Sequence, residues 1–239
     1  MNRLKILIVS KFLYARGGAE TYAISLGEML KMHNHEVRFF SMSYPENINV
    51  NENEYFVKEV SFFQSSLNAK LKAALRVFGV GVERNYEKIL DDFQPDVIHL
   101  NNIHSYLSPI VAELAHKRGI KVIWTVHDYK LICPTYSFLC QGKPCEACIE
   151  NKYSVISRKC MKNSLLASLL AWGEIMYWNK GRLSRWTDAF ICPSNFMAQK
   201  MMQGGYPANK LHVIYNFIDS GKAKLISELS SEERELAYV

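Results

Sequence analysis

Apolar and polar positions along the chain change period several times. The run Leu4-Lys5-Ile6-Leu7-Ile8-Val9 is nearly continuously apolar, as expected of a strand covered on both faces. From Ala19 onward the period lengthens, and Tyr22, Ala23, Leu26, Met29 and Leu30 recur at helical spacing. Further strands are predicted at 37–41, 97–100, 121–126, 189–192 and 211–215. Helical patterns fall at 107–117, stopped by Gly119, and at 196–203. Strands alternating with helices through short loops predict a doubly wound, mostly parallel α/β sheet. In such sheets ligands bind beyond the carboxyl ends of the strands. The polar residues that follow strands are Gly17, Gly18, Asn101, Asn102, His104, His127, Asp128, Ser194 and Asn216.

Two stretches interrupt the alternation. Residues 65–90 form a basic amphipathic pattern, with Leu67, Leu71, Ala74, Leu75 and Phe78 on one side. It reads as a surface helix covering the sheet, with a membrane surface as the alternative. Residues 165–186 mix Leu, Met and Trp with Lys180, Arg182 and Arg185, which suits core packing or a membrane interface.

Composition narrows the classes. A 49% hydrophobic content over 239 residues supports a sizeable core, and a net charge of +6 is too mild to imply nucleic acid. The first apolar run is too short for a secretory signal, and the greasy run at 165–172 is too short to span a bilayer. A cytoplasmic protein is expected, with peripheral contact to the inner membrane.

Gly17 and Gly18 stand between the first strand and the first helix, where backbone N–H groups and a partial positive charge converge. The pattern suits a phosphate or sugar diphosphate, although two glycines can equally relieve crowding at a turn. It lacks the full G-x-G-x-x-G of dinucleotide sites, which argues against an oxidoreductase. Five of the six cysteines crowd into residues 133–160. Cys145-Glu146-Ala147-Cys148 is a C-x-x-C knuckle flanked by Cys140 and Cys160, a set that predicts structural zinc. Free thiols, disulfides and an iron–sulfur cluster remain as alternatives, and Cys192 reads as a core residue.

Five motifs then occur in order: the Gly17-Gly18-Ala19-Glu20 loop, Pro95-Asp96-Val97-Ile98-His99, Thr125-Val126-His127-Asp128, Ile191-Cys192-Pro193-Ser194 and Val213-Ile214-Tyr215-Asn216-Phe217-Ile218-Asp219. Together they resemble the amino-terminal domain of family-4 glycosyltransferases, retaining enzymes built of two Rossmann-like domains (the GT-B fold). The resemblance implies a nucleotide-diphosphate sugar as donor and a lipid-linked or polysaccharide acceptor, as in lipopolysaccharide and other cell-surface glycans, with no metal in the chemistry. It implies catalytic roles for His127 and Asp128, with Asp128 alternatively capping a turn. Gly17 and Gly18 would approach the donor diphosphate, and Asn101, Asn102 and His104 would meet the acceptor. Residues 1–219 would form the acceptor-side domain with its Cys-rich insertion. Residues 220–239 would be a linker and the cut-off start of a carboxy-terminal donor-binding domain, so this piece alone should be inactive. A non-catalytic glycan-binding module, or half of a split enzyme, is the alternative.

Overall fold

The structure, a computed structural model, describes residues 2–62 and 66–217. The expected linker and second-domain start at 220–239 lie outside the described residues, as do Ile218 and Asp219. In chain order the first elements are β1 (Lys5–Val9), α1 (Gly18–Met32), β2 (Glu36–Phe40), β3 (Met42–Ser43), β4 (Val57–Lys58), α2 (Leu67–Val77) and α3 (Glu83–Phe93). Next come β5 (Val97–Leu100), α4 (Ile110–Lys117), β6 (Lys121–Thr125), β7 (Leu139–Cys140), β8 (Lys143–Pro144), α5 (Ala147–Glu150) and α6 (Ser154–Ser157). The last are α7 (Leu165–Tyr177), α8 (Lys180–Trp186), β9 (Ala189–Cys192), α9 (Asn195–Gln203) and β10 (Leu211–Val213).

Six strands form one parallel sheet in the order β10-β9-β6-β5-β1-β2. Leu7, Ile8 and Val9 of β1 are fully buried, as are Ile98 and Leu100 of β5. Helices cover both faces, which is why these strands read as unbroken apolar runs. The expected doubly wound Rossmann-like fold is present. The chain leaves β1 toward β2 and then returns to β1's other side as β5. Their carboxyl ends therefore bound the crevice where the winding reverses, the favoured ligand site of such sheets.

The pattern at 65–90 resolves into two helices. Gly79 and Gly81 sit at φ +96° and +80° between them, a left-handed backbone that ends α2. At Gly79 a Cβ would also come within 2.8 Å of Ile110, so a side chain there has neither the backbone nor the room. The expected burial is corrected too. Leu67, Leu71 and Leu75 of α2 face outward, with Leu67 at 81% exposure, while Ala73, Arg76 and Val77 face inward. On α7, Leu165, Leu166 and Leu169 are also exposed. Trp178, just beyond α7, donates its indole N–H to the Val77 carbonyl at 2.8 Å and ties the two helices together.

Candidate functional site

β1 ends at Val9, and the loop that follows carries Ser10 and Lys11 and delivers Gly17 to the start of α1. Gly17 is extended at φ −164°, and no side chain caps the helix, so no side chain of the cap satisfies its first-turn N–H groups. A Cβ on Gly18 would meet nothing within 4 Å. The glycine at 18 is therefore not relieving a clash inside the protein; it keeps the space at the helix start open. Lys11 N–H donates to the Asn102 carbonyl at 3.0 Å, joining the loops after β1 and β5.

A cavity of about 890 Å³ opens beyond these strand ends. Lys11, Arg16 and Glu20 line it from the β1 side, and Asn102, His104, Ser105 and Tyr106 from the loop after β5. Asp128 and Lys130 enter from the loop after β6. The far wall belongs to the Cys-rich insertion and to Ala167, Leu170, Ala171 and Glu174 of α7. A narrow crevice lined by Asn101, His127 and Thr125 adjoins it and shares Asn102, His104 and Asp128 with it.

The residues expected from sequence thus separate. Asn102, His104 and Asp128 line the cavity, whereas Gly17 and Gly18 line neither space. Asn101 is 1% exposed; its Oδ1 pairs with His127 Nε2 at 3.0 Å, and its carbonyl accepts from Trp124 Nε1 at 3.1 Å. With both oxygens committed inside the protein, its side chain serves His127. His104 stacks on Trp124 at 5.2 Å between ring centroids. The edge of Tyr22 packs on His127 at 5.1 Å, and burial pushes the His127 pKa down to about 4. His127 is a neutral imidazole at pH 7. Asp128 Oδ1 accepts from the Lys130 N–H at 2.8 Å, the turn-capping bond weighed above. Burial raises the Asp128 pKa, while Lys11 and Lys130 oppose that rise.

Sequence reasoning missed the strongest electrostatic contact of the site. Lys130 Nζ meets Glu174 Oε2 at 2.7 Å with both side chains 6% exposed, and Ser105 Oγ donates to the same carboxylate at 2.9 Å. Lys130 also donates to the Pro134 carbonyl at 2.8 Å. The available signal was a single carboxylate inside the apolar run of α7. Burying such a pair is costly unless its remaining hydrogen bonds are met, and here they are. Beside it, Phe12 carries the Arg16 guanidinium at 4.3 Å, and Tyr106 carries Lys11 Nζ at 5.4 Å.

The cysteine expectation is corrected. Among the described residues no group of three or more His, Cys, Asp or Glu side chains is placed to hold a metal ion. Cys160 and Cys140 form one pair, with Sγ atoms 2.8 Å apart. Cys148 instead hydrogen-bonds Cys133, which the expected ligand set omitted, and Cys145 accepts from Arg158 Nη1 at 3.4 Å. The bonds to Cys148 and Thr135 hold the Cys133 thiol below its usual range, while the bond to Cys133 and burial push Cys148 up. The split follows from the chain path. Cys133 precedes the tight β7–β8 turn through Gln141 and Gly142, both at positive φ, and α5 carries Cys148 back beneath it.

The model of Glycosyltransferase Family 4 matches residues 16–222. The chain belongs to this family. A Klebsiella pneumoniae protein described as an uncharacterized 42.6 kDa protein in the cps region is 24% identical over 252 residues, covering 99% of this chain and 61% of that protein. Among solved structures, Anabaena Alr3699/HepE in complex with UDP and glucose is 15% identical with a TM-score of 0.44, covering 95% of this chain and 50% of that one. Acinetobacter baumannii MurG is 11% identical with a TM-score of 0.44, covering 95% and 49%. The family-4 chain thus spans about three-fifths of its curated relative and half of these structures. Among its described residues no helix is long and apolar enough to cross a membrane.

Proposed function

We propose that this chain is the acceptor-side domain of a retaining, nucleotide-sugar-dependent glycosyltransferase acting on a lipid-linked or polysaccharide acceptor of the cell surface. A second, donor-binding domain completes the cleft. The observation that carries this reading is the cavity of about 890 Å³ beyond the β1 and β5 ends, with Asp128, Asn102 and His104 in its wall. Its volume suits a sugar or a short glycan, and its carboxylate, amide and imidazole can bind hydroxyls. The uncapped α1 start, kept open by Gly18, suits the leaving diphosphate, whose charge grows as the sugar departs. Neutral His127 then bonds a sugar hydroxyl, and Asp128 orients the acceptor hydroxyl toward the anomeric carbon. The nucleotide sugars named with HepE support a donor of this class.

The exposed leucines of α2 and α7 support delivery from an anionic bilayer. Leu166 is 79% exposed, while Ala167, Leu170 and Ala171 of the same helix line the cavity. Lys70 and Lys72 on α2 match anionic headgroups, so α7 stands between lipid and acceptor site.

The test is transfer of labelled sugar from a panel of nucleotide diphosphate sugars to lipid and polysaccharide fractions, using the full-length product of the natural locus. Transfer with one donor, lost in His127→Ala, supports the reading. Glycan binding without transfer for every donor replaces it with a binding module. Co-sedimentation with anionic phospholipid vesicles, abolished in Leu71→Glu/Leu166→Glu, tests the membrane contact.

A further inference from the structure

We infer that Asn101 is a positioning residue that holds His127 as the Nε2–H tautomer and leaves Nδ1 to accept from a hydroxyl of the sugar substrate. The assignment of a substrate rests on the reading of His127 above; the tautomer itself does not.

The argument starts from the asparagine. Asn101 follows β5 and is 1% exposed, so its amide must find partners inside the protein. Its backbone N–H donates to the Val9 carbonyl at 2.9 Å, and its carbonyl accepts from Trp124 Nε1 at 3.1 Å. The backbone is thus held from both neighbouring strands. The side-chain Nδ2 donates to the His99 carbonyl at 3.4 Å. A carbonyl can only accept, so this contact requires the amide nitrogen and fixes the oxygen toward His127. Oδ1 can only accept in turn, so the proton between the residues belongs to His127 Nε2, 3.0 Å away. A neutral imidazole carries one proton, which leaves Nδ1 as a lone pair. No donor among the described residues bonds it.

The surroundings keep the ring neutral. Tyr22 packs on it edge-on, Asp128 is the next residue in the chain, and His99 lies behind on β5. His99 is tied through Nε2 to Thr125 Oγ1 at 2.7 Å, and burial, with the His127 ring nearby, disfavours a positive charge on it. Lys11 and Lys130 stand beyond Asp128. A protonated His127 would face burial with little compensation, so the ring works as a fixed hydrogen-bond acceptor instead of a proton shuttle. The second cleft histidine is held through the same pair, since Trp124 both bonds Asn101 and stacks on His104. The Asn101 side chain thus orients His127, while its backbone carbonyl anchors the Trp124 ring on which His104 stacks.

The experiment labels histidine isotopically and records long-range proton–nitrogen correlation spectra of the chain across pH, with His127→Gln assigning the signal. The expected result is an Nε2–H tautomer for His127 near pH 7. In Asn101→Asp the acceptor becomes an anion, and the His127 pKa should rise by about 1–3 units. A residue that merely filled space would lower the melting temperature and leave that titration unmoved. An Nδ1–H tautomer in the parent chain overturns the assignment, as does an unshifted His127 in a folded Asn101→Asp. If Asn101→Asp does not fold, the parent spectrum decides alone. No donor or acceptor is needed, so failure of sugar transfer and failure of this assignment are separate results.

Discussion

The cavity has two walls built on different principles. One is the row of strand ends, where β1, β5 and β6 enter the loops bearing Lys11, Asn102 and Asp128. Those loops continue from largely buried central strands, and the loops after β1 and β5 are bonded to each other. The other wall comprises α7 and the insertion at 133–160, and within the insertion regular elements shrink to two-residue strands and four-residue helices. Its own core is Cys148, Val155 and Ile156, with Cys160 and Trp172 against them. The first wall draws rigidity from the shared hydrophobic core. The second draws it from polar contacts: the Lys130–Glu174 pair, the paired thiols and Lys200 Nζ on Glu146 at 2.7 Å. A precise site can rest on either kind of wall, but the second fails one contact at a time.

The largest expected effect therefore lies where the walls meet. Glu174→Gln leaves Lys130 charged and buried without its partner, and should cost about 3–5 kcal/mol in urea unfolding. The double change Lys130→Met/Glu174→Leu should recover most of that loss. Equal losses in single and double variants would show that the pair contributes no coupling. Next, His127→Ala in the full-length enzyme should lower kcat/KM by about a hundredfold, or ~2.7 kcal/mol of transition-state binding, while stability changes little.

Acid should strain the strand-end wall more than the insertion. His99 and His127 both have pKa values lowered to about 4 by burial. The unfolded chain takes up those protons near pH 6.5, before the folded protein does, so unfolding gains protons. Stability from keeping both rings neutral is complete above about pH 6.5 and falls as pH drops toward 4. The urea midpoint should decrease between pH 7 and pH 5, and less so in His127→Gln.

Gly18→Ala sharpens the contrast from the other direction. Space for the methyl group is free and φ at this helix start suits alanine, so stability should hold or rise by up to ~1 kcal/mol. On the function proposed above, sugar transfer should nevertheless fall, because the methyl group enters the open space assigned there to the donor. The smallest effects separate the cysteines. Cys133→Ser should destabilise by about 1–2 kcal/mol, since a buried hydroxyl replaces a packed thiol; Cys145→Ser should stay within about 0.5 kcal/mol.

The same contrast governs what could be read from sequence. The sheet was legible because strands buried on both faces leave apolar runs that no surface segment shares. Placing Asn102, His104 and Asp128 followed from one rule, that ligands gather at strand carboxyl ends. Asn101 obeyed the same rule and yet turned inward, because successive residues at a strand end face opposite sides. Glu174 and Lys130 were passed over because their partnership spans more than forty residues and no local period records it. Amphipathic spacing identifies the leucine stripe of α2 but not whether sheet, solvent or lipid lies against it. The C-x-x-C knuckle drew attention to four cysteines, although the fold paired Cys148 with Cys133.

An all-parallel sheet contains no hairpins, so every pairing in it must close a long loop. The pairing that creates the crevice is among the most distant: the Lys5 N–H donates to the Asp96 carboxylate, 91 residues along the chain. Closing such long-range contacts slows folding. Loop length, in contrast, is inexpensive once closure is achieved, since doubling it costs only about 0.6 kcal/mol. The stretch between β1 and β5, including the outward-facing leucines of α2, can therefore lengthen, shorten or change its character while the strand ends stay in place. A family built on this plan can remodel that outer surface without rebuilding the strand ends beneath it.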